Sequence, residues 1–121
     1  MIQSGQKKYE RDLDERTLEF AKRIIRMCKE LPKDTINREL VKQIIRSGCS
    51  VGANYREAND GLSKKDFVHR LRISRKEAKE TLYWLELITE TNPAIQERIQ
   101  LLVQECGELI KILSAIIEKV K

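Results

Sequence analysis

The sequence is poor in the residues that β-structure, metal centres and secretion depend on. Only 5% of its 121 residues are aromatic, too few for a sandwich or barrel whose strands need aromatic and β-branched faces. There is one histidine, His69, with no second histidine or cysteine at ligand spacing, which excludes the usual zinc signatures. The three cysteines, Cys28, Cys49 and Cys106, are isolated, odd in number and set in apolar stripes. They read as reduced core residues, not as a disulfide framework or metal site. No apolar run approaches the roughly 18–20 residues needed to span a bilayer, and residues 1–8 lack an apolar signal core. The expectation is a soluble, cytoplasmic protein.

What is abundant points to helices. Charged residues make up 36% and apolar ones 40%, with two prolines and five glycines. Glu, Lys, Arg and Leu lose little rotamer freedom in a helix. Residues 1–10 are polar and are expected to form a flexible tail; residues 11–121 are expected to form one domain. Four stretches carry the three-and-four spacing of a buried helix seam. The first, about 11–31, has Leu13, Thr17, Phe20, Ile24, Met27 and Leu31, widened by Leu18, Ala21, Ile25 and Cys28. Pro32 stops it, and Asp34, Thr35 and Asn37 are candidate caps for the next. The second, about 36–58, has Val41, Ile44, Gly48, Val51, Tyr55 and Ala58. Its interior glycines each cost about 1 kcal/mol in helix propensity, which close approach of another helix would offset. Gly61 suits a left-handed cap.

The third stretch, about 64–90, follows the N-cap Ser63 and has Phe67, Leu71, Ser74, Ala78, Thr81, Leu85 and Ile88. The fourth follows Pro93, with Ile95, Ile99, Leu102, Cys106, Leu109, Leu113, Ile116 and Val120. Long amphipathic helices with short connections predict an all-α, antiparallel up-down-up-down four-helix bundle. Ile73, Trp84 and Leu87 fall off the main seam of the third helix and are the candidate oligomer interface. The alternative is that a wide apolar stripe reflects central packing.

No nucleophile elbow, phosphate-cradling loop or metal-ligand spacing is present, so neither catalysis nor a cofactor is expected. Charge is more informative. Residues 64–79 hold seven Lys/Arg against Asp66 and Glu77, an excess equal to the chain's whole net charge of +5. At about 100° per residue, Lys65, His69, Arg72, Lys76 and Lys79 fall within roughly 80° of one another, opposite Phe67, Ala78 and Leu85. Such a stripe suits phosphate contacts, which position a nucleic acid without reading its sequence. The bland reading is a solvated helix face. An anionic membrane is disfavoured, because the face opposite the charge is committed to the core.

The run Ser47-Gly-Cys-Ser-Val-Gly-Ala-Asn-Tyr-Arg-Glu-Ala58, with Ser63-Lys-Lys-Asp-Phe67 and Lys76-Glu-Ala-Lys-Glu-Thr-Leu-Tyr-Trp-Leu-Glu86, resembles the bacterial four-helix-bundle proteins encoded in 23S rRNA intervening sequences. The resemblance spans about residues 12–118; Gly48 and Cys49 depart from the pattern. It implies a ring-like homopentamer. It also implies a link to nucleic acid, through the genomic setting of some members and through distant relatives that serve diversity-generating retroelements.

Asn54, Glu57, Glu77 and Glu80 match polar positions of that family. From the residues alone they are expected to pair with Arg46 or Arg75 in a structural polar network, since buried charges persist only when paired. An open pocket lined by them is the enzymatic alternative. The expected partners are thus copies of the chain itself and RNA or DNA. The rival is an adaptor ring that recruits a protein, with the basic stripe merely solvated.

Overall fold

The computed structural model describes the backbone of residues 4–121 and the side chains of residues 13–121. Four helices, α1 (Ser4–Glu30), α2 (Thr35–Asn59), α3 (Lys64–Thr91) and α4 (Gln96–Val120), form an antiparallel bundle. A 3-10 turn at Pro93–Ile95 precedes α4. Each helix packs on its neighbours in chain order, and α1 and α4 close the ring with the loosest of the four seams. The expected tail differs in part. The backbone of residues 4–10 continues α1, because Gln6, Lys7, Lys8 and Glu10 are good helix formers and extending an existing helix avoids the cost of nucleation. Residues 1–3 of that tail lie outside the described residues.

The connections use side-chain caps. Asp34 caps α2 by accepting from Asn37 N at 2.8 Å, and Ser63 caps α3 by accepting from Asp66 N at 3.1 Å. Gly61 does not take the expected left-handed conformation: no glycine among the described residues has positive φ. The end of α2 instead tightens through Asp60 N to Glu57 O (3.2 Å) and Gly61 N to Ala58 O (3.0 Å), which satisfy the orphan carbonyls locally. Gly61 is there for space, since a Cβ would meet Ala58 O at 3.0 Å.

The core follows the expected seams, but Val41, Phe67, Ile95, Ile116 and Val120 are only partly buried, Val68 and Ile117 are buried beside Phe67 and Ile116, and two residues of α1 lie outside it. Leu13, Thr17, Phe20, Ile24, Met27 and Leu31 are buried, but Leu18 and Ile25 are exposed, because they sit beyond the arc that α2 covers. Small residues let α2 approach on both sides. Gly48 and Gly52 lie against Ile24 and Thr17 of α1. On the other side Ser74 Oγ donates to Val51 O (2.7 Å) and Thr81 Oγ1 to Ser47 Oγ (2.9 Å). Buried hydroxyls therefore lock α2 to α3 with every donor matched to an acceptor. Cys106 Sγ lies 3.1 Å from Ala78 O across the α3–α4 seam.

Burial pushes the Cys28 thiol up to about 11 and Cys106 to about 12, with smaller contributions from Cys49 and Glu105 respectively, and raises Cys49 as well. At neutral pH these groups are thiols, not the thiolates that nucleophilic attack or metal ligation requires. Gly107 has nothing within 4 Å of where a Cβ would stand. Gly107→Ala is therefore expected to stabilise the protein by about 1 kcal/mol through helix propensity alone, read as a higher urea midpoint with unchanged slope.

Candidate nucleic-acid interface

α3 positions the basic face. Its buried row, Leu71, Ser74, Ala78, Thr81, Leu85 and Ile88, is held against α2 and α4. The opposite side of the helix is thereby committed to solvent, and Lys65, His69, Arg72, Lys76 and Lys79 are all exposed there. The described residues form ion pairs elsewhere: Arg16–Glu105 (2.6 Å), Arg26–Glu19 (3.0 Å), Lys42–Glu39 (3.4 Å), Arg56–Asp14 (3.1 Å), Arg98–Glu30 and Lys121–Glu118 (3.0 Å). Among the described residues, none of these five side chains has an ion-pair or hydrogen-bond partner.

The reason lies on the flank of α3 that faces α2. Arg46 reaches across to Glu77 (3.3 Å) and Glu80, turning both carboxylates toward α2. α3's cations are left without the neighbours that would have neutralised them. Towards the start of α3, Lys65, His69 and Arg72 border a shallow open depression that also includes Lys64, Asp66 and Lys121. Lys64, one of the seven basic residues of the charged run, and Lys121 lie outside the five-residue stripe. The spacing already put Lys64 one residue from the stripe, whereas Lys121 arrives only because α4 runs antiparallel to α3.

The six residues expected in one polar network do not form one. Arg46, Glu77 and Glu80 come together. Asn54 instead donates from Nδ2 to Ser50 O of its own helix (2.9 Å), and Arg75 donates to Ser114 Oγ on α4 (3.4 Å). Glu57 is exposed. The cause is azimuth: Arg75 points to the α4 side of α3 and Glu77 to the α2 side, so one network cannot hold both. Arg46 is itself 48% exposed, so the cluster is a surface clasp, worth little in net stability. Among the described residues, no group of three or more His, Cys, Asp or Glu is placed to hold a metal ion, and no helix is long and apolar enough to cross a membrane.

Of the three candidate interface residues, Ile73 and Trp84 are half-buried, and only Leu87 is exposed, at 36%. Trp84 packs against the core with its Nε1 buried and unpartnered. More apolar surface lies elsewhere, at Leu18 and Ile25 on α1, Leu101 on α4, and Ile36 and Leu62 near the ends of α2.

Comparison with known proteins fits this fold. The chain is similar to a Bacteroides thetaiotaomicron protein of unknown function from the S23 ribosomal protein family, whose structure is known. The two share 41% identity, covering 87% of this chain and 97% of that one, with a TM-score of 0.80. No curated protein matches. The family of 23S rRNA-intervening sequence proteins matches residues 11–115, and the chain belongs to that family.

Proposed function

We propose that the protein is a self-associating, non-enzymatic binder of nucleic acid, and that Lys65, His69, Arg72, Lys76 and Lys79 hold the phosphates. The single observation that supports this most directly is that α3 presents these side chains exposed and unpaired while Arg46 draws the adjacent carboxylates away. A solvated face usually carries both signs interspersed; this one is predominantly positive, with Asp66 at its start. Along the helix the row from Lys65 to Lys79 extends about 20 Å at 1.5 Å per residue. Several phosphates could be neutralised together, with counterion release supplying the affinity and little sequence preference. Self-association is supported by the exposed apolar side chains on α1 and α4, and repetition of the face by symmetry would multiply its potential.

The test is fluorescence anisotropy with structured RNA and duplex DNA over a range of salt. Binding should weaken linearly in log–log form, with a slope near 0.9 per phosphate contact on duplex and about 0.7 on single strands. The double variant Arg72→Glu/Lys76→Glu should lose at least about tenfold in affinity and reduce the duplex slope by about two contacts. The oligomer, measured by light scattering, should be unchanged. Absence of binding at low salt would overturn the reading. Loss of the oligomer in the double variant would reassign the face to a subunit contact.

A further inference from the structure

Beyond the last cation of this face, α3 carries an aromatic ring in the same line. Tyr83 follows Lys76 by seven residues and Lys79 by four, so at 3.6 residues per turn it continues the same surface row. It is 56% exposed, and it is held in place. The Trp84 ring meets it edge-on, with centroids 5.2 Å apart and planes at 72°, while Trp84 itself is packed against the core. Side chains on a helix lean toward its N-terminus, so the Tyr83 ring is carried back toward the Lys79 turn. Past it the sign of the face reverses: Glu86 and Glu90 are exposed on the following turns. A phosphate backbone following the cations has favourable contacts as far as Lys79 and meets repulsion after Tyr83. At that boundary an exposed, pre-oriented ring stands where the strand must turn off the helix.

From this juxtaposition, and resting on the phosphate-binding reading above, we infer that Tyr83 is a base-stacking platform and that the ligand class is a single-stranded nucleic acid segment. A duplex keeps its bases stacked inside and has none to give the ring, whereas an unpaired base offers its face whatever its identity.

The experiment compares the full chain with its Tyr83→Ala and Tyr83→Phe variants by anisotropy. The probes are a uridine oligonucleotide, a thymidine oligonucleotide of equal length and a duplex of equal length. Tyr83→Ala should weaken both single strands by roughly five- to a hundredfold, and Tyr83→Phe should retain their binding, because the ring and not the hydroxyl does the stacking. Duplex affinity should change by less than about twofold, since the phosphate contacts remain. Equal loss on single strand and duplex, or no loss on either single strand, would overturn the inference. So would loss on the uridine strand alone, which would point to the ribose hydroxyl. Failure of the underlying reading looks different: binding would then be absent, or indifferent to Arg72→Glu/Lys76→Glu.

Discussion

Asn92→Leu is expected to cost about 2–3 kcal/mol, as much as any single polar substitution in this protein. The two ends of the molecule's loop face are joined by a reciprocal amide pair. Asn37 Nδ2 donates to Asn92 Oδ1 (3.0 Å), and Asn92 Nδ2 donates to Asn37 Oδ1 (2.9 Å). Both residues are buried. Asn37 Nδ2 also reaches Pro32 O (3.0 Å), and Asn92 Nδ2 reaches Ile88 O (3.0 Å). The α1–α2 turn, the start of α2 and the end of α3 are thereby tied at one point. Removing Asn92 leaves the Asn37 carbonyl oxygen buried without a donor, and an unsatisfied buried polar group costs about 1–3 kcal/mol. The Ile88 carbonyl loses its side-chain donor as well. Urea unfolding followed by circular dichroism should show a lower midpoint with an unchanged slope. The double variant Asn37→Leu/Asn92→Leu should cost less than the two single variants together, because neither amide is then left behind. Simple additivity would mean that the pair does not act as a unit.

Gly52→Ala is the second large effect, and its sign opposes helix propensity. An added Cβ would stand 2.8 Å from Thr17 Oγ1 and 3.0 Å from Thr17 Cβ. The hydroxyl cannot simply swing aside, since it donates to Leu13 O at 2.6 Å, and the Cβ moves only with the α1 backbone. The helices must separate, at an overpacking cost of about 1–3 kcal/mol that outweighs a propensity gain of about 1 kcal/mol. Gly48→Ala provides the comparison. Its Cβ would meet Ile24 Cγ1 at 3.3 Å, a contact that asks a side chain to give by only a few tenths of an ångström, so the change should cost less than Gly52→Ala. Thermal unfolding of the two variants side by side checks this. Equal stability would show that α1 does not press on α2 at Thr17.

The small-residue run in α2 was legible as a cause without being legible as a contact. Interior glycines in a helix require compensation, and the sequence implied close approach. It did not say that Gly52 faces Thr17 with no space to spare while Gly107 faces nothing. Periodicity likewise located the seam of α1 but overextended it to Leu18 and Ile25, since the width of a buried arc depends on how its neighbours are disposed. Asn37 was one of several candidate caps. Asp34 took that role, and Asn37 turned inward to a partner 55 residues away, a pairing no local pattern encodes.

Local chemistry by itself determined the four helices, their punctuation by Pro32, Ser63 and Pro93, the buried rows and the row of cations on α3. Each follows from propensity and from a repeat of 3.6 residues acting within one segment. Only the tertiary structure decided which charges remain unpaired. Glu77 lies one residue from Lys76 in the sequence. It is Arg46 of another helix that draws Glu77 and Glu80 to the far flank, while Arg75 turns away to Ser114. A charge run reports how many cations a helix carries, whereas ion pairing depends on what the neighbouring helices bring within about 4 Å, and that distance is set by packing.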